Sequence, residues 1–546
     1  MSKFYTNIEQ RGDSILYMGW ENGLPVKQKI KYKPHVFIPS KNETEYKAFS
    51  NKKHLQRVDF DSISDMKEYI KTYSDVSNFE IYGCSNIVRQ FTRTMFEGEI
   101  DWDYAQTKIW FFDIETRVEG LALDPTESQY IRVGHETFQK TYQDLMLMLE
   151  DSVSFDLLED GEYVPIKASK AYRAGFPDPQ KAEQEILLIS MIEHHTKKLY
   201  VWSIKPIRED NKIFEMGADF RSFDSEKKML KDFLLFWKSN RIDVISGWNS
   251  ETFDIPYLVN RMQFVLGDEL TNHLSPWNVI KERKYVSDNG EDVSTYDIYG
   301  ITHLDYLIIY KKFNPGSKES FKLDYIAEYE LGERKVENPT DNFKQFYTEH
   351  FEVFCVYNAI DVMLLHKLEH KMLMVRLAMQ LAFIARCNFG DVVSAMRLWE
   401  SIIYNYFMDE KVIEDYDREK KEKKQIVGAY VHEPKPGKYG WTVSLDASSM
   451  YPSIIMQNNI SPEKIVRLDD YFIDDIIANK HIGNVDNGTI LSCNGLVTTK
   501  DGDGFIPILV KRMFDLRKKT KNLMLEKKKE QQAIKERLAV LGVTVD

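Results

Sequence analysis

Residues Lys108 to Thr116 read KIWFFDIET, an apolar run of strand length interrupted by Asp113 and Glu115. On a strand, positions i and i+2 share a face, so the two carboxylates project together. The pair by itself also fits a strand end whose acids meet water. If the strand is buried, two acids aimed one way need a positive charge between them, and a divalent cation is the common answer. Upstream, Ile15 to Trp20 predicts a short strand and Glu21-Asn22-Gly23 a turn. Val26, Gln28, Ile30 and Tyr32 then alternate with Lys27, Lys29, Lys31 and Lys33, which predicts a two-faced strand with a lysine-lined edge. Such an edge fits a solvated face as well as a nucleic-acid contact.

Downstream, residues 118–174 read as an acidic, irregular insertion with a helical patch near Phe138 to Leu149. ILLISMIEH and LYVWSI predict a return to strands, and Asp224 is placed as the cap of a helix carrying Met229, Leu230, Phe233, Leu234 and Trp237 on one face. DVISGWN (243–249) predicts a strand and turn, with Pro256 in the first turn of the next helix. Asp288-Asn289-Gly290 is a hairpin signal within 280–300. Helical periodicity dominates from Phe321 to Phe407. DREKKEKK (417–424) reads as a solvated linker, YGWTVSLDAS (439–448) as a strand, and Pro507 to Val540 as a long helix.

At 546 residues the chain holds several domains, and 43% hydrophobic with 13% aromatic residues supplies large cores. The alternation of strand and helix patterns predicts an α/β multidomain class. The net charge of -12 excludes a uniformly basic coat for nucleic acid but leaves room for a local basic channel. Residues 510–540, with eleven Lys/Arg against four acids, are a candidate. Cys84, Cys355, Cys387 and Cys493 form no CxxC pair, so neither a zinc site nor a disulfide framework is implied. The start, MSKFYTNIEQRGD, has no apolar signal region, and the run Met372 to Ile384 is interrupted by Arg376 and Gln380. A cytoplasmic protein without a membrane span is expected.

Two constellations carry chemistry. In GWNSETFDIPYL (247–258), Asp254 sits just before a helix start, and in VYNAIDVMLL (356–365) Tyr357 and Asp361 are four apart, on one helix face. Alone, Asp254 fits an N-terminal helix acid, and Tyr357 with Asp361 fits a surface pair. With Asp113 and Glu115 they make four carboxylates and a phenol, a set that suits two-metal phosphodiester hydrolysis. D-I-E, then G-W-N-x-x-x-F-D-x-P-Y-L, then Y-x-x-x-D resembles the proofreading 3′→5′ exonuclease domain of family B DNA polymerases. The resemblance implies an RNase H-like fold and single-stranded or frayed 3′ DNA ends as substrate. It implies two Mg²⁺ ions held by Asp113, Glu115, Asp254 and Asp361, with Tyr357 aiming the water. The hairpin near 280–300 is similar to the family's strand-separating loop.

The second constellation is SLDASSMYPSIIMQNNISPE (444–463), in which Asp446 ends the predicted strand before a turn. An isolated D-x-x-S-x-Y-P also fits an ordinary strand–turn–helix. The segment resembles the family's polymerase motif A, and GAYVHEP (428–434) resembles the linker motif ahead of it. The match implies that Asp446 is a catalytic polymerase metal ligand, that Ser449 and Met450 line the triphosphate turn, and that Tyr451 stacks under the incoming sugar. Ala447 and Met450 depart from the family's commoner residues. GFIPILVKRMFDLRKKTK (504–521) resembles the first fingers helix, where Arg517 and Lys521 would grip nucleotide phosphates.

The opening FYTNIEQ, ITHLDYLIIYKKF and FKLDYIAEYELGE are similar to the T-even bacteriophage type of this family. The domains expected are an N-terminal domain at 1–107 with 374–416, the exonuclease at 108–373, a partial palm at 417–503 and the first part of the fingers at 504–546. The second fingers helix and the D-T-D motif with the other polymerase carboxylate are not found in 522–546. This resembles one subunit of a split polymerase, with truncation as the competing explanation. The partners implied are primer-template DNA, dNTPs, a second polymerase chain and, through the complete enzyme, a sliding clamp, in the cytoplasm of an infected host cell. The alternative is an RNA-binding autoregulatory or structural subunit without catalysis of its own.

Overall fold

The computed structural model describes residues 2–73, 76, 79–118, 129–141, 144–145, 148, 153–159, 162–166, 177–286, 290, 292–340, 343–416, 433–447, 449–468, 487–492 and 495–541. It divides into two compact units, Met1–Glu419 and Lys420–Asp546.

In the first unit, β1 (Lys3–Arg11), β2 (Ser14–Glu21) and β3 (Leu24–Lys31) form an antiparallel sheet. Lys27, Lys29 and Lys31 are exposed on β3, as the alternation predicts. Lys27, however, donates to the Pro276 carbonyl at 2.6 Å and lies over the Trp277 ring, so part of the lysine edge is used inside the protein. A second sheet joins β4 (His35–Pro39), β5 (Tyr46–Ala48) and β6 (His54–Asp59) to the distant strand Val412–Ile413.

The strand β7 (Ile109–Thr116) follows. The insertion after it is not irregular: β8 (Gln129–Val133), β9 (Glu136–Lys140), β10 (Phe155–Glu159) and β11 (Glu162–Ile166) form an antiparallel sheet of order β11-β10-β8-β9. Phe138 therefore lies on a strand, opposite Ile131, where a helical patch was expected. The helical reading holds further along, where Asp144, Leu145 and Met148 are helical, and fails only at Phe138, where cross-strand pairing, invisible to local periodicity, decides the backbone.

The chain returns with β12 (Ile186–Glu193), β13 (Leu199–Ser203), β14 (Asp219–Ser222), helix α1 (Glu226–Ser239), β15 (Val244–Ser246) and helix α2 (Asp254–Leu266). The apolar face expected of α1 is buried, but Ser225 is the capping position, and Asp224 instead pairs with Lys228 at 2.6 Å. The hairpin β16 (Ile280–Val286) and β17 (Asp292–Ile298) forms, and of its turn signal Asp288 and Asn289 lie outside the described residues. Next come β18 (Thr302–His303) and helices α3 (Tyr306–Phe313), α4 (Phe351–Met372) and α5 (Met374–Ala385).

The central sheet has the order β14-β13-β12-β7-β15-β18. β7 is flanked by β12 antiparallel and β15 parallel, which explains its near-continuous apolar run. Ile109 and Phe111 enter the core on the α4 side, while Trp110, Phe112 and Ile114 pack with α1 and α2. By the same alternation Asp113 and Glu115 face α4. Asp243, fully buried, fastens the N-terminal sheet to this one. It accepts from Thr6 Oγ1 at 3.1 Å, Trp20 Nε1 at 2.9 Å, Lys108 N at 2.9 Å and Arg241 Nε at 2.9 Å.

The second unit contains helix α6 (Met450–Gln457), β19 (Ile465–Leu468), β20 (Thr489–Leu491), β21 (Leu496–Thr499) and helix α7 (Phe505–Val540). The long helix stands as expected. The strand expected at 439–448 does not form over the described 439–447, and Trp441 is 99% exposed. A strand is not a local structure, and this segment pairs with no other strand among the described residues. The charge run 417–424 and residues 428–432 of GAYVHEP lie outside the described residues. Cys84, Cys355 and Cys387 are free buried thiols, while Cys493 lies outside the described residues. Among the described residues no helix is long and apolar enough to cross a membrane.

Removing the Asp243 carboxylate strands four donors, one of them a guanidinium. We expect Asp243→Ala to cost roughly 3 kcal/mol of stability, read as a lowered urea midpoint. An unchanged midpoint would show that the fastening contributes nothing.

Candidate metal and nuclease site

Each acid reaches the site by a separate local device. Asp113 and Glu115 come from β7, half-buried and 8% exposed respectively. Asp254 opens α2, and its Oδ1 accepts from Ile114 N at 3.2 Å, which ties the helix to the strand between the two strand acids. The turn before it is forced by close packing: a Cβ on Gly247 would lie 2.9 Å from the Phe112 carbonyl and 2.7 Å from Ser250 Cβ. Asn249 takes φ +64, a left-handed conformation that Asn tolerates. Asp305, 2% exposed, accepts from Asn249 N at 3.1 Å and Glu251 N at 3.0 Å, and also caps α3 through Leu307 N. Asp361 is buried on α4, one turn beyond half-buried Tyr357.

Asp113, Glu115 and Asp361 each offer an oxygen, and the three lie within 4.8 Å of one another. Lys335 reaches in from the segment that follows the helix Leu323–Leu331. It forms an ion pair with Asp361, lies 3.4 Å from the Tyr357 hydroxyl and sits over the Tyr357 ring. Asp361 Oδ1 is buried and has no hydrogen-bond partner. Trp248, Leu307, Phe321, Leu323 and Tyr357 line an adjoining open cleft of about 540 Å³.

Crowding acids in a buried place makes ionisation costly. Burial, then the charges of Asp254, Asp361 and Glu115, push Asp113 well above the usual carboxylate range, against the pull of Lys335. Burial and Asp361 do the same to Glu115. Burial lifts Asp254 to about 7 and raises Asp361 despite its ion pair. Burial also works against the Lys335 ammonium, but Asp361, Tyr357 and Asp113 outweigh it and keep Lys335 protonated. The residues fit a hard divalent cation: an all-oxygen donor set, excess negative charge, and an orphaned carboxylate oxygen within it.

The structure thus brings together five predicted residues: Asp113, Glu115, Asp254, Tyr357 and Asp361. The others lie in the second unit. Asp446 is exposed and outside a strand, Ser449 takes φ +51 before α6, and Met450 and Tyr451 open that helix exposed. Arg517 on α7 reaches Ser449 Oγ at 3.4 Å, and Lys521 is exposed one turn on. Sequence reading missed Lys335, which sits in a charged loop with no local signal. It also missed Asn358, inside YNAID, and Ser190, the one uncharged polar residue of ILLISMIE.

The pattern of the DNA polymerase family B exonuclease domain matches residues 165–326, and that of DNA polymerase family B matches 393–541. Together they take in more than half of the sequence. The chain belongs to DNA polymerase family B. It is 27% identical to the DNA-directed DNA polymerase of Escherichia phage RB69 over 100% of this chain and 57% of that one. It is 28% identical to that of Enterobacteria phage T4 over 98% of this chain and 55% of the relative. A DNA polymerase of Pyrococcus glycovorans is 27% identical over 63% of this chain and 41% of its own length. The chain spans about half the length of these phage relatives.

Raised carboxylate pKa values set a sign for metal-free stability. The acids contribute fully below their unfolded pKa, about 4, and the contribution is lost as pH rises through the folded values, near 7 for Asp254. Replacing one acid by its amide therefore relieves more repulsion at high pH. In thermal melts with EDTA, the Tm advantage of Glu115→Gln over wild type should grow between about pH 5 and about pH 8. Mg²⁺ should raise the wild-type Tm more at the higher pH and raise that of the variant little. Equal responses at both pH values would count against the site.

Proposed function

We propose that this family B chain hydrolyses DNA from 3′ ends, in the proofreading role of a replicative polymerase. The observation that carries the reading is the cluster of Asp113, Glu115 and Asp361, with Asp254 bonded to the Ile114 amide between the strand acids, Tyr357 and an orphaned Asp361 oxygen, beside a cleft of mixed polar and apolar lining. Asp113, Glu115, Asp254 and Asp361 are the residues that would hold two Mg²⁺ ions, whose chemistry is to activate a water and neutralise charge on the leaving oxygen. Tyr357 supplies a hydroxyl to orient that water. Lys335 holds Asp361 in place and offsets part of the phosphate charge. Trp248, Leu307 and Phe321 give the last base and sugar an apolar seat. The hairpin β16–β17 is tied to the turn before Asp254 through Arg283 and Glu251, 2.9 Å apart, and serves to part the strands. The RNase H-like assignment of the central sheet belongs to the same reading. It draws support from three antiparallel strands continued on both sides by parallel ones.

The second unit supplies part of a synthesis site. Asp446 is its metal-binding carboxylate. Ser449, Met450 and Tyr451 receive the nucleotide, and Arg517 and Lys521, one turn apart on α7, bind its phosphates. Synthesis needs a further carboxylate, supplied by a second polymerase chain in the split-subunit reading. Primer-template DNA, dNTPs and a clamp are the partners. The phage relatives suggest work in an infected host's cytoplasm.

Nuclease assays on 5′-labelled single-stranded DNA separate the two centres. Asp113→Ala should lower degradation roughly 10²–10³-fold and Tyr357→Phe about 10-fold, while Asp446→Ala leaves it unchanged. Full activity in Asp113→Ala would remove this site from the reaction.

A further inference from the structure

Asn358 is fully buried on α4, next to Tyr357 and three residues before Asp361. Its Nδ2 donates to Asp113 Oδ2 at 2.7 Å. Its Oδ1 accepts from Ser190 Oγ at 2.5 Å. Ser190 is also fully buried, and it is the residue paired with Asp113 across the β7–β12 ladder. A carboxamide has nearly the same shape either way round, so only its partners tell its nitrogen from its oxygen. An ionised carboxylate accepts and cannot donate. With a cation bound, Asp113 is ionised and selects the amide nitrogen, and Ser190, able to donate, completes the other end. Each member constrains the next, and the chain of bonds runs from β12 through α4 to β7. An apolar pair would fill this space without burying an amide and a hydroxyl.

We propose that Ser190 and Asn358 are a positioning pair for the candidate nuclease centre, which set the rotation of the Asp113 carboxylate and leave its other oxygen free for a cation. The proposal rests on the nuclease reading above. The same bond carries a second consequence. Asn358 is flanked on α4 by Tyr357 and Asp361, so it also sets the register of the helix residues against the strand acids. Without Ser190 the amide oxygen loses its donor, and Asp113 alone holds the orientation of Asn358. Ser190 then acts on the site through Asn358 alone.

The test uses the full chain and two readouts: Mn²⁺ binding by calorimetry, and single-stranded DNA degradation as a function of Mg²⁺. Asn358→Ala should weaken Mn²⁺ binding about 10- to 100-fold and lower kcat at limiting Mg²⁺. It should recover at high Mg²⁺ and keep the KM for DNA. Ser190→Ala should shift the same quantities less, Ser190→Thr should restore them, and the double variant should be no worse than Asn358→Ala. Unchanged Mn²⁺ affinity in a folded Asn358→Ala protein would overturn the proposal, as would a loss of kcat that high Mg²⁺ does not rescue. If Asn358→Ala does not fold, unchanged Mn²⁺ affinity in Ser190→Ala overturns it instead. A wild-type protein that binds Mn²⁺ but releases no nucleotides would overturn the nuclease reading, while the affinities would still decide the positioning role.

Discussion

Four carboxylates are held close together in the interior with one lysine among them, and much of the first unit is arranged to keep them there. Left to itself, such a group would spread toward water or take up protons. The first escape is closed to Asp113 and Glu115, because β7 is clamped between β12 and β15 with apolar cores on both faces, so without a cation proton uptake is the escape that is left. Asp254 is tied to the strand by the Ile114 amide, and Asp361 is carried on a helix that anchors Phe354, Val362 and Leu365 in the core. Lys335 relieves part of the repulsion by its ion pair with Asp361. The acids remain in excess, so the apolar cores pay for an electrostatic arrangement that favours a bound cation.

The second unit offers a contrast in how polar chemistry is supported. Around Asp113, three of the acids have a partner: Asn358 for Asp113, the Ile114 amide for Asp254 and Lys335 for Asp361. Around Asp446, the chain runs exposed from 439 to 447, with Trp441, Val443 and Leu445 in water. The α7 helix, 36 residues long, buries only Pro507, Leu509 and Val510 among its described side chains, while Leu516, Leu523 and Met524 stay exposed. Preorganisation in this chain is therefore uneven: a braced acid cluster in the first unit, and separate nucleotide-binding candidates in the second.

Local pattern was enough for the elements whose stability is local or whose faces are plain. Apolar alternation and turn chemistry located β7, the hairpin signal and the buried face of α1. The D-x-E, F-D and Y-x-x-x-D spacings named all five residues that the fold brings together. Pairing and solvent exclusion were beyond its reach. Part of the insertion became a four-stranded sheet because β8 and β10 pair residues 24 and 26 positions apart, and the strand expected at 439–448 finds no partner among the described residues. Lys335, Asn358 and Ser190 are ordinary residues in sequence. Their importance arises from who stands opposite them once helix α4 lies against β7 and β12. The acids and their spacing were thus determined by the sequence, because strand and helix periodicity act over a few residues. Which groups neutralise, orient and desolvate those acids was decided only by the tertiary structure, because those interactions join residues up to 245 positions apart.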